Sequence, residues 1–147
     1  MFKAIVVGTD GSETAKEAVR QAAELAKDVG ASVDLVSAYE PVSTTRLREE
    51  AREAPDDVQW AVNPREDVDA TLEEAAELVR GAGVEVRTVA REGDPADAIL
   101  DVAEEHGSDL IVVGNKGMTG AKRFLLGSVP NKVSHPAPCS VLSIRTV

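Results

Sequence analysis

Leu110-Ile111-Val112-Val113-Gly114-Asn115-Lys116-Gly117 is the stretch on which the fold turns. Its four apolar residues are continuous rather than alternating, the pattern of a strand covered on both faces. The run breaks at a glycine into a polar loop. The same grammar opens the chain, where Ala4-Ile5-Val6-Val7 runs into Gly8-Thr9-Asp10-Gly11-Ser12. Strands buried on both faces need helices above and below them, so an α/β fold follows.

Working outward, the intervening segments read as those helices and their sheet. Ser12 caps a helix whose apolar positions Ala15, Ala18, Val19, Ala22, Ala26 and Val29 keep the 3.6-residue period, with Gly30 as its left-handed stop. Val33–Tyr39 reads as a second strand. Val68, Leu72, Ala75 and Val79 mark another helix, closed by Gly81. Val84–Val89 alternates as a half-exposed edge strand does. Asp94-Pro95 starts a helix with a capping acid and a proline at the first helical position; Ile99, Val102, Ala103 and His106 form its face. A short helix near Ser128–Ser134 and a last strand, Ser140–Arg145, complete the chain. Residues 41–64 differ, carrying Pro41, Pro55, three arginines (46, 48 and 52) and Trp60, with room for a short helix near Thr45–Ala54. Residues 1–147 are therefore expected to form one domain around an open five-stranded parallel sheet, with 41–64 as a variable insertion.

Composition narrows the function. One cysteine, Cys139, excludes an internal disulfide framework and leaves no cysteine pair for zinc. Twenty-six acidic against 16 basic residues give a net charge of −10, which repels phosphate backbones and anionic lipid. No nucleic-acid or membrane partner is expected. The first apolar run ends by Gly8, too short for a signal peptide or a membrane span, so a cytoplasmic protein is expected.

An anionic small ligand needs a local device to overcome that field, and the loop after the fourth strand supplies one. Gly114-Asn115-Lys116-Gly117 is followed after nine residues by Gly127-Ser128. Glycines let backbone approach a ligand, and successive N–H groups form an anion-binding nest. Gly127-Ser128 opens a helix whose free N–H groups and positive dipole end favour phosphate. Lys116, Lys122 and Arg123 make a basic patch in this loop. The pattern is neither a P-loop nor a dinucleotide fingerprint.

Each of these residues also has a plainer structural reading. Asp10-Gly11-Ser12 serves as a strand–helix turn with its cap, and the basic loop residues serve as a solvated surface. His106 ends a helix, where a cation suits the dipole. His135 and Cys139 are separated by a proline-containing break that does not suit a metal pair. Cys139 reads as a buried thiol, Trp60 as a core cover, and the arginines of 41–64, interleaved with Glu49, Glu50 and Glu53, as a charged face.

Taken together, Gly-x2-Gly-x9-Gly-Ser, the opening Ile5-Val6-Val7-Gly8-Thr9-Asp10-Gly11-Ser12, Ser108-Asp109-Leu110-Ile111-Val112-Val113-Gly114 and the closing Pro138-Cys139-Ser140-Val141-Leu142 resemble the universal stress proteins. The resemblance is weakest across 41–64. It implies a Rossmann-like sheet of the adenine-nucleotide alpha-hydrolase type in the order 3-2-1-4-5, with ATP at the switch point between the first and fourth strands. It further implies that Gly8 and Thr9 line the nucleoside side, that Asp10 accepts from ribose hydroxyls and that Ala38 lies against adenine. Gly114, Asn115, Lys116, Gly117, Gly127, Ser128 and the Val129 backbone would hold the phosphates, with Mg²⁺ or Mn²⁺ near Ser128. Pro130 departs from the expected small residue with an N–H, but an N–H in a first helical turn is an orphan in any case. The phosphate loop holds no histidine or carboxylate to orient water, so ATP is expected as a signal or stabiliser, its hydrolysis at most slow. The alternatives are a slow Mg-dependent ATPase or nucleotidyl-transfer enzyme using Lys116 or Arg123, and a nucleotide-free dimeric scaffold. The resemblance also implies a homodimer pairing strand 140–145 about a two-fold axis; protein partners beyond that are not named by it.

Overall fold

The fold is given by a computed structural model that describes residues 2–39, 64–114, 133 and 137–145, with residues 64–66 as backbone alone. Within these residues five parallel strands form one sheet: β1 (Ala4–Gly8), β2 (Ser32–Tyr39), β3 (Val86–Glu92), β4 (Leu110–Gly114) and β5 (Ser140–Ile144). The helices are α1 (Glu13–Val29), α2 (Pro64–Gly81) and α3 (Pro95–Glu105). The strand order is β3-β2-β1-β4-β5.

Strand residues alternate between two apolar layers, which explains the continuous runs. Ile5, Val7, Val33, Leu35, Leu110 and Val112 pack under α1 and α2, joined by Ala18, Val19, Ala22, Leu72, Ala76 and Val79. Val6, Val36, Ile111 and Val113 face the other way, against Ile99, Val102 and Ala103 of α3 and against Val133. Both faces of the central strands are thus covered. The alanines of α1 at 18, 22, 23 and 26 are all buried, so the helix sits close on the sheet.

The helix termini follow the local chemistry. Ser12 Oγ accepts the Ala15 N–H at 3.2 Å, and Gly30 (φ 74°) ends α1 in the left-handed region. Asp94 Oδ2 accepts the N–H groups of Ala96 and Asp97 at 3.1 and 3.2 Å, with Pro95 first in α3. At the other end of the sheet, Asp109 accepts the N–H groups of Lys3 (2.8 Å) and Ala4 (3.0 Å), tying the start of β4 to the start of β1.

Several strand boundaries differ from the reading of the sequence, with β2 beginning at Ser32 rather than Val33. β3 spans Val86–Glu92 rather than 84–89. Gly83 takes a positive φ of 78° and the Val84 N–H turns back to Val79 O, so Val84 packs beneath α2 before the strand begins. β5 ends at Ile144, with Arg145 outside it. The expected helix at 45–54 and Trp60 lie outside the described residues; of the expected helix 128–134, only Val133 is described, helical and fully buried. No helix among the described residues is long and apolar enough to cross a membrane.

Candidate functional site

β1 hands the chain to α1 and β2 on one side, whereas β4, entered from α3, flanks β1 on the other. Where neighbouring strands lead their loops apart in this way, a crevice opens beyond their carboxyl ends. A cleft lies there. Gly8, Thr9 and Asp10 line it from β1 and the following loop, Val36 and Ala38 from β2, and Val113 and Gly114 from β4. Ala15 of α1 and Pro95 and Ile99 of α3 complete the described lining.

Among the described residues the cleft wall is mostly apolar, and its polar side chains are Thr9 and Asp10. Thr9 is fixed: its N–H donates to Val36 O at 2.9 Å, and its hydroxyl accepts the Gly11 N–H at 3.2 Å. Gly11 needs its φ of 81°, and a Cβ there would also meet Thr71 of α2 at 2.9 Å. Asp10 divides its carboxylate between two tasks. Oδ1 accepts from the Ser12 N–H (2.9 Å) and the Ser12 hydroxyl (2.6 Å), shaping the turn into α1. Oδ2 is buried and has no hydrogen-bond partner among the described residues. A buried carboxylate oxygen without a donor is costly, which marks the place where a ligand donor fits.

Of the residues expected at a site, Gly8, Thr9, Asp10, Ala38 and Gly114 are therefore gathered at one cleft. Asn115, Lys116, Gly117, Gly127, Ser128 and Val129 lie outside the described residues, as do Lys122, Arg123 and His135. Sequence reading missed Ala15, Val36, Pro95, Ile99 and Val113 as lining, because each already had an ordinary place in a strand or helix.

A profile of the universal stress protein family matches residues 1–145. This chain belongs to that family. Among curated universal stress proteins, one from Mycobacterium tuberculosis is 38% identical over 150 residues, covering 99% of this chain and 97% of that protein. One from Bacillus subtilis is 35% identical and covers 99% of this chain and all of its own length (100%). Two solved structures are also similar. A universal stress protein in complex with cAMP is 32% identical, with a TM-score of 0.75 and 99% coverage of both chains. The universal stress protein of Archaeoglobus fulgidus in complex with dAMP is 27% identical, with a TM-score of 0.69 and 98% coverage of both.

No local pattern in the sequence points to a second polar cluster, which lies at the opposite end of the sheet. Asp34 is buried on β2 beside its register partner Arg87 on β3. Arg87 Nε and Nη2 donate to its two oxygens at 2.8 and 3.2 Å, and His106 Nδ1 donates to Oδ2 at 2.9 Å. His106 stands at the C-cap of α3, the helix end at which the sequence places it, and its ring also reaches the buried Asp34 carboxylate on β2. Cys139 is half-buried, and burial, followed by the nearby Asp109 charge, pushes its thiol above the ordinary range. A raised thiol is a poor nucleophile.

Proposed function

We propose that this universal stress protein is a nucleotide-binding regulatory protein that holds ATP in the cleft between β1 and β4. The observation that carries the reading is Asp10 Oδ2, a buried carboxylate oxygen without a donor at the point where the winding reverses. A ribose hydroxyl is a neutral donor that such an oxygen accepts, and a charge-assisted bond of this kind is worth about 1.5–3 kcal/mol. Adenine takes the apolar wall beside Val36 and Ala38. The cAMP and dAMP complexes of related proteins support an adenine nucleotide as the ligand class. Glycines 114, 117 and 127, with Asn115, Lys116, Ser128 and the Val129 backbone, take the phosphates in this proposal, and Ser128 the Mg²⁺ carried by them. The protein works in the cytoplasm as a homodimer joined through β5.

A ligand selective for the folded state raises its melting temperature by mass action. ATP with Mg²⁺ should do so here, and Gly117→Val and Gly127→Val should remove the rise by placing branched carbons in the phosphate path. No rise in the parent protein, with ATP or with AMP, would overturn the reading.

A further inference from the structure

A Cβ built at Gly8 would lie 2.5 Å from Ile99 Cδ1 and 3.2 Å from Ile99 Cγ1. Both residues line the cleft, and Ile99 is only 4% exposed. The tip of Ile99 therefore lies directly on the β1 backbone, in the space a side chain at position 8 would take. Val36 and Val113 belong to the sheet and are held by its ladder on either side of β1. Ile99 comes instead from α3, and as a β-branched residue it has little χ1 freedom to retreat.

We propose that the Gly8–Ile99 contact gauges the cleft, making Ile99 a specificity-determining residue that admits a plain adenine base and rejects adenine nucleotides enlarged on the base. This inference rests on the nucleotide reading above. An apolar wall discriminates by volume, and a small change in that volume is worth about tenfold in affinity. The contact also predicts how its two members depend on each other. A methyl group at position 8 meets Cδ1 and Cγ1 of Ile99, and since χ2 can turn Cδ1 aside while χ1 stays fixed, Gly8→Ala keeps the fold while driving Cδ1 out of place. Ile99→Val deletes Cδ1 and relieves the closest approach.

Calorimetric titration with AMP, N6-benzyl-AMP and 8-benzylamino-AMP tests this on the full chain. The parent should bind AMP and reject both enlarged nucleotides. Ile99→Ala should bind at least one of them about tenfold more tightly than the parent does, and Ile99→Val, the milder core change, should move in the same direction. Gly8→Ala should weaken AMP binding in the parent and do so less in the Ile99→Val background. If the parent binds AMP but the Ile99 variants keep its preferences, or if Gly8→Ala acts equally in both backgrounds, the gauge is wrong and the nucleotide reading stands. If the parent binds no AMP, the gauge falls; if it binds no ATP either, the nucleotide reading falls with it.

Discussion

Asp10 shows how a structural and a functional role share one side chain. Oδ1 builds the turn that Asp-Gly-Ser announces in the sequence, and Oδ2 is left over at the cleft. The turn was legible from residue types; the spare oxygen was not, because burial of a single atom depends on the loop's surroundings. Asp10→Asn can keep an acceptor for Ser12 but replaces the spare oxygen with a donor. It should leave the fold intact and weaken ATP binding by about 1.5–3 kcal/mol, with a smaller loss for 2′,3′-dideoxy-ATP. Equal losses for the two nucleotides, measured by titration, would dismiss the ribose contact. Asp109 offers a test of stability instead. Burial works to raise its carboxyl, but the Lys3 and Ala4 N–H groups outweigh it and hold the group below the ordinary carboxylate range. A carboxyl lowered on folding adds stability above its unfolded value, and the gain disappears as pH falls through the folded one. Asp109→Ala should therefore unfold at lower urea than the parent at pH 7, with the gap narrowing as the buffer is acidified below the ordinary carboxylate range. A gap that persists unchanged into acid would show that the carboxylate is not its source.

At the scale of elements, the apolar runs carried most of the information. β1, β2 and β4 were readable because both of their faces are buried, and α1 and α3 because their caps are chemically explicit. β3 was shifted because Val84 is apolar for the sake of α2, while Arg91 and Glu92, polar and at the sheet edge, pair with Ala38 and Tyr39 all the same. The Asp34 cluster escaped for a related reason: register places Arg87 beside Asp34 across 53 residues, and no local pattern records it. Its energetics are testable through a comparison of variants. Removing the partners of a buried carboxylate leaves a charge that the interior cannot solvate, whereas replacing the whole group with apolar residues is close to neutral. Arg87→Met with His106→Leu should thus be less stable than the triple variant that adds Asp34→Leu, by about 5 °C in melting temperature. A triple variant that melts below the double would mean that Asp34 itself holds the sheet together.

For the whole molecule, the two edges of the sheet contrast. The β3 edge carries Arg87, Arg91 and Glu92, with Arg91 paired to Glu105 of α3, and charge of this kind blocks edge-to-edge pairing. The β5 edge carries half-buried Val141 and Leu142, the latter 38% exposed. The proposed dimer follows from that difference, and a two-fold axis would pair β5 with its copy. Light scattering should give twice the mass of a 15.5 kDa chain for the parent, and Leu142→Lys should halve it without lowering the helical content. A monomeric parent at micromolar concentration would end that proposal. The position of β1 also has a consequence for the protein's birth. Its first residue is held by Asp109, 105 residues later. At a synthesis rate of roughly 5–20 residues per second, a nascent chain emerging from the ribosome carries β1 for about 5–20 s before β4 has been made. During that wait an apolar strand destined for the middle of the sheet has an open flank, and this is the interval in which a chaperone would matter most.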